Sequence, residues 1–176
     1  FELDGRGRPR LNQDRLSALT ALARKSGMAY FQGGAFAGRL CPTGDNAAFY
    51  NSLDHSRIQS PDEIAEAFKT AAFDEFDHVT EAKVLVTGTS LSTAQGAAEL
   101  ADMAEQLYAY LSKNSLTEIW TQCCLDEPNE ALEPVYRKIN GIVRTAMPGV
   151  KLLEPTLVGH PLEGTMDIWC PTVAEY

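Results

Sequence analysis

Long apolar runs are missing from this 176-residue chain. No stretch approaches the roughly 18 residues of a membrane-crossing helix, and no basic segment leads into an apolar core near Phe1. A membrane span is therefore not expected. Positive charge is also scarce, since 15 Lys and Arg stand against 24 Asp and Glu for a net charge of −9. Such a chain repels phosphate backbones, and nucleic acid is excluded as an expected partner. The four cysteines, Cys41, Cys123, Cys124 and Cys170, form no CxxC pair and have no zinc-like spacing from His55, His78 and His160. They read as small buried residues, and no metal is expected. Gly33, Gly34 and Gly38 make neither GxGxxG nor a phosphate loop ending in Lys-Ser/Thr. No nucleotide and no other cofactor is expected.

What is present is enough for a folded core: 44% of residues are hydrophobic and 22% charged, which excludes a disordered chain. The length suits one domain. Asn12 or Asp14 caps a helix carrying Leu16, Leu19, Thr20 and Ala23 on one stripe, with Gly27 as its stop. Met28 to Phe31 follows as a short apolar strand, and the glycines after it require a turn. Residues 39–59 read as a long polar loop, and Ser60-Pro61-Asp62-Glu63 opens a helix bearing Ile64, Ala67, Phe68 and Ala71. Lys83 to Thr87 is strand-like but has no evident partner. Ala97 to Leu111 carries the cleanest helical stripe of the chain. Strands are expected at Ile119–Leu125, Val150–Leu153 and Met166–Cys170, with a helix from about Glu130 to Ala146 that Pro148-Gly149 stops.

Single helices alternating with these strands predict an α/β fold with parallel strands and crossover helices, open or barrelled. Tyr30, Ile119, Leu153 and Ile168 should lie on neighbouring strands. A complete (β/α)8 barrel takes about 250 residues, so a barrel here would be partial, with 1–176 a single fragment of it. The start at Phe1 rather than Met agrees with that expectation.

Ligands of such sheets meet the carboxyl ends of the strands, which directs attention to Gln32-Gly33-Gly34, Asp126-Glu127-Pro128 and Trp169-Cys170-Pro171. Two adjacent carboxylates repel one another, and that repulsion raises the pKa of one of them toward the range of a general acid. The competing reading is that Asp126 or Glu127 caps the helix after Pro128. Trp120 and Trp169 suit either sugar stacking or core packing. The three histidines have no nucleophile at a recognisable motif, and they read as solvated loop residues. Cys123 and Cys124, adjacent on one strand, should point to opposite faces.

The run Leu125-Asp126-Glu127-Pro128, then Tyr136-Arg137, then Met147-Pro148-Gly149-Val150-Lys151 resembles the catalytic region of glycoside hydrolase family 123. The closing Asp167-Ile168-Trp169-Cys170-Pro171 through Tyr176 is similar to that family's strand end, and Leu3-Asp4-Gly5 through Met28 to its early helix and strand. Residues 40–90 carry little of the likeness. The resemblance implies a (β/α)8 barrel that removes terminal N-acetylhexosamine, N-acetylgalactosamine above all, by a retaining, substrate-assisted route. It implies Asp126 as the partner of the 2-acetamido N–H and Glu127 as the general acid/base. A carbohydrate substrate then makes Trp169, Tyr176, Gln122, Gly33 and Gly34 the expected substrate-binding residues. Cys123, where the family often carries histidine, and the apolar Gly33-Gly34-Ala35-Phe36 depart from the pattern. They leave a changed sugar specificity, or a non-catalytic carbohydrate-binding or structural domain of the same fold, as the alternatives.

Overall fold

The computed structural model of the protein describes residues 1–39, 81–125, 128, 130–156 and 162–171. The chain opens with a two-stranded antiparallel hairpin, β1 (Glu2–Leu3) and β2 (Pro9–Arg10), whose turn is closed on Asp4. The Asp4 carboxylate accepts the Arg6 and Arg8 N–H groups at 2.8 and 2.9 Å. Those two backbone donors favour its ionised form and hold its pKa down at about 2.

Helix α1 spans Gln13–Lys25, and of the two proposed caps it uses Asn12, whose side chain accepts the Arg15 N–H at 2.9 Å. At its other end Met28 N–H bonds to Ala23 O and Gly27 N–H to Arg24 O, with Gly27 at φ +83°. This is the Schellman arrangement, in which a left-handed residue satisfies the last carbonyls of a helix. The strand expected at Met28 begins later than the apolar run suggests. Met28 and Tyr30 are 59% and 74% exposed, and β3 is Phe31–Gly33. The Schellman turn uses the Met28 N–H on the helix end, and pairing to a neighbouring strand starts only at Phe31.

After β3 the chain enters β4 (Ala37–Arg39), which pairs antiparallel with β5 (Ala82–Val84). The strand-like stretch at Lys83 thus finds its partner in Ala37–Arg39, where a glycine turn leading into the polar loop is expected, while residues 85–87 form a turn. Arg39 belongs to β4, and the polar loop and the helix expected over residues 40–71 lie outside the described residues.

Helix α2 (Ala94–Lys113) is the stripe expected from Ala97, begun three residues earlier because Thr93 caps it through Gly96 N–H at 3.0 Å. Leu100, Met103, Ala104, Leu107 and Leu111 are buried along it. Gln106 on the same helix bonds to Leu11 N–H and Pro9 O, which seats the N-terminal hairpin against it. A 3-10 turn at Thr117–Ile119 leads into β6 (Trp120–Gln122), and another at Glu130–Leu132 leads into α3 (Glu133–Ala146). The chain continues through β7 (Lys151–Thr156) to β8 (Ile168–Pro171).

The central sheet has the order β3-β6-β7-β8, with every pair parallel. Leu153 pairs with Ile168 as expected, while Tyr30 and Ile119 stand one residue before β3 and β6. Strands in sequential order are joined by crossovers that all advance in one direction, and right-handed crossovers then place every helix on one face. Helices α2 and α3 pack on each other and share a core with Trp120 and Leu152. On the other face Thr121, Leu153, Pro155 and Ile168 are half-buried, and Gln32 and Cys170 are exposed. The described fold is therefore a mixed α/β unit with a four-stranded parallel sheet.

The carboxyl end of strand β6 as the candidate functional site

Strand β6 delivers its last residues into a buried polar cluster. Phe31, Gly33, Trp120 and Gln122 share the helix-covered face, where the Phe31 and Trp120 rings stack at 6.2 Å. Gln122 is fully buried. Its side-chain N–H groups donate to Gly34 O and Cys123 O, both at 2.7 Å, and its carbonyl oxygen accepts the Trp120 indole N–H at 3.1 Å. An amide engaged on both sides fixes the backbone around it. A Cβ on Gly33 would stand 2.2 Å from that same carbonyl oxygen, so glycine here is required by close packing against Gln122.

Just beyond, Glu154 of β7 reaches across to β6. Its carboxylate accepts the Cys124 backbone N–H at 2.6 Å and the Cys123 thiol at 3.0 Å. The side chain is fully buried, and burial, which penalises the charged form, pushes its pKa up to about 7 against the opposing pull of these donors. Burial likewise raises the Cys124 thiol, and the neighbouring Glu154 charge adds to the effect. From α3 the buried Tyr136 hydroxyl faces Glu154 and Asn140 but reaches hydrogen-bond geometry with no described residue. Its pKa is raised, first by burial and then by the Glu154 charge.

Asn140 extends the cluster by donating to Thr165 O and accepting from Arg144, which also donates to Thr165 O and pairs with Asp167 at 3.1 Å. Asp167 in turn accepts the Leu152 N–H at 2.8 Å, so the acid that opens Asp167-Ile168-Trp169 ties β8 to the start of β7.

The candidate residues are thus only partly gathered. Gly33, Gly34 and Gln122 line a cleft of about 660 Å³ between α1, β3 and α2, which Phe31, Trp120 and Met103 also border. Trp169 is not among them. It pairs with Glu154 on β8, with β7 between it and β6, and is 37% exposed. Asp126, Glu127 and Tyr176, and all three histidines, lie outside the described residues. Cys123 and Cys124 are both buried, and Glu154 meets the side chain of one and the backbone of the other.

Glu154 is the residue the sequence reading passed over. Ending the strand at Leu153 hid it, although Leu152, Glu154 and Thr156 alternate on the buried face. A carboxylate at an inward position of an apolar strand was the available signal. In comparisons with known proteins, the chain matches no family model and no curated protein.

Proposed function

We propose that this chain is part of a (β/α)8-barrel glycoside hydrolase of the family 123 kind, removing a terminal N-acetylhexosamine, N-acetylgalactosamine in first place. The observation that carries the reading is the run Leu125-Asp126-Glu127-Pro128, which begins three residues after Gln122, the last residue of β6, in the sequence; the carboxyl ends of strands in parallel sheets and barrels are where their ligands bind. The sequential strand order supports it, because a barrel keeps all its helices outside. The half-buried Thr121, Leu153, Pro155 and Ile168 would then face the barrel interior.

The chemistry explains why two carboxylates can be adjacent. In ordinary glycosidases the pair is about 5 to 9.5 Å apart, because one carboxylate is a nucleophile or a water-activating base on the opposite side of the sugar. When the substrate's own acetamido oxygen attacks C1, no protein nucleophile is needed. Asp126 accepts the acetamido N–H and stabilises the positive charge that develops on the oxazolinium ring. Glu127 protonates the leaving oxygen as the C1–O bond breaks, then takes a proton from the water that opens the ring. The configuration at C1 is retained.

Substitution of the pair tests the reading. Glu127→Gln should abolish turnover of substrates with poor leaving groups yet spare part of the activity on an activated aryl N-acetylgalactosaminide, whose leaving group needs little acid help. Asp126→Asn should slow both classes by about 10²- to 10³-fold, the usual cost of one oriented electrostatic partner. The matching 2-hydroxyl sugar should be a very poor substrate. Comparable turnover of the 2-hydroxyl and 2-acetamido sugars, or sugar binding without any hydrolysis, would refute the proposal.

A further inference from the structure

The backbone of Cys123 and Cys124 is held by three neutral contacts and one charged one. Cys123 N–H donates to Gly33 O at 3.3 Å, Cys123 O accepts from Gln122 at 2.7 Å, and Cys124 O accepts the Ala37 N–H at 3.0 Å. The fourth group, Cys124 N–H, lies beyond the β6–β7 ladder, whose register ends at Gln122 and Leu152. Glu154 takes it at 2.6 Å, and also takes the Cys123 thiol at 3.0 Å. One buried side chain thus replaces the missing rung of the ladder. Asp126 follows Cys124 by two residues.

We propose that Glu154 is a positioning residue for the acid pair: by holding the Cys124 N–H and the Cys123 thiol together, it sets the end of β6 from which Asp126 and Glu127 continue. The functional half of this inference rests on the glycosidase reading, whereas the structural half rests on the Glu154 contacts alone. An ionised carboxylate offers acceptors to both donors, while a neutral carboxyl carries a proton on one oxygen and must redirect one of them. The groups facing Glu154 are the thiols of Cys123 and Cys124, just beyond β6, and the Tyr136 hydroxyl from α3. The Arg144 charge of α3, paired with Asp167, is also felt at Cys124. A carboxyl with a pKa near 7 exchanges these two arrangements in the neutral range.

The test compares the full chain with its Glu154→Gln and Glu154→Asp variants. Amide resonances of Cys123, Cys124, Asp126 and Glu127 are followed from pH 5 to 9, and kcat and KM on an activated aryl N-acetylgalactosaminide are measured over the same range. In the unaltered chain the Cys124, Asp126 and Glu127 amides should titrate together with a midpoint near 7, and in Glu154→Gln that common step should vanish. Glu154→Gln should lower kcat about 10- to 100-fold with KM within twofold, as expected when reacting groups are displaced by a fraction of an ångström to 1 Å. It should also erase the inflection of kcat near neutrality, and Glu154→Asp should restore part of it. A Cys124 amide indifferent to pH, or Asp126 and Glu127 amides that do not follow it, would overturn the inference, as would a Glu154→Gln profile equal to that of the unaltered chain. No turnover by the unaltered chain, with the amides still titrating together, would count against the glycosidase reading alone and leave the structural half supported.

Discussion

Replacing Glu154 by Gln should change how stability depends on pH, in an amount that follows from burial. The folded chain holds this carboxyl at about 7, against an ordinary value of 4.5. The difference is about 2.5 units, and at 1.36 kcal/mol per unit it amounts to roughly 3 kcal/mol of preference for the neutral form in the fold. Below about pH 4.5 the folded and unfolded chains both keep the proton, and nothing is lost. Between about 4.5 and 7 the unfolded chain releases the proton while the folded one keeps it, so stability falls as pH rises, and above 7 the loss is complete. Gln cannot ionise. Its curve should therefore lack this fall, and the variant should gain on the unaltered chain by roughly 2 to 3 kcal/mol between pH 5 and 8. Urea unfolding at several pH values reads the effect, and with a slope of about 1 to 3 kcal/mol per molar urea the gap between the two midpoints should open by about 1 M or more. Comparing the two proteins at each pH cancels groups that titrate in both, such as Asp4, held at about 2. Parallel curves from pH 5 to 8 would refute the argument and show that the donors from Cys123 and Cys124 fully offset the burial cost.

Two further substitutions probe the same region. Gly33→Ala drives a methyl group against the Gln122 carbonyl oxygen and the Trp120 ring, 2.2 and 2.9 Å from the ideal Cβ, and should cost about 1 to 3 kcal/mol in thermal or urea unfolding. A neutral result would mean that Gln122 turns away freely and is not part of a rigid frame. Tyr136→Phe removes a buried hydroxyl with no bond to a described residue, so it should be neutral or stabilising by up to about 1 kcal/mol, and should move the Glu154 titration upward. A loss above about 2 kcal/mol would show the hydroxyl to be bonded.

The elements with strong local signals were legible in the sequence. Helix α1 could be read because Asn12 and Gly27 are chemically suited to its two ends, and α2 because its apolar stripe runs for several turns. The parallel order of the sheet followed from single helices between strands. Short strands were misjudged at their edges. Met28 and Tyr30 look like strand residues by composition, but whether an apolar residue joins a ladder depends on where the neighbouring strand begins. The pairing of β5 with β4 was invisible for a related reason, since Ala37 and Val84 are 47 positions apart and carry no mark of one another.

Of the candidate site, the sequence by itself supplied the residues on which the proposed chemistry rests: a carboxylate pair after an apolar run, in an acidic chain with no zinc or nucleotide motif. Composition and spacing are local properties, and they were enough for that. Only the tertiary structure decided what Gln122, Gly33 and Glu154 do. Gln122 reads as a polar residue free for a ligand until its three contacts are drawn, and Gly33 as a loop residue until the Gln122 side chain is seen to occupy the space of its Cβ. Glu154 becomes a buried carboxyl joining two strands only because β7 lies beside β6 in a register that turns it inward beneath α3. Burial and register arise between segments distant in the chain, and they convert an ordinary acidic residue into one that titrates near neutrality.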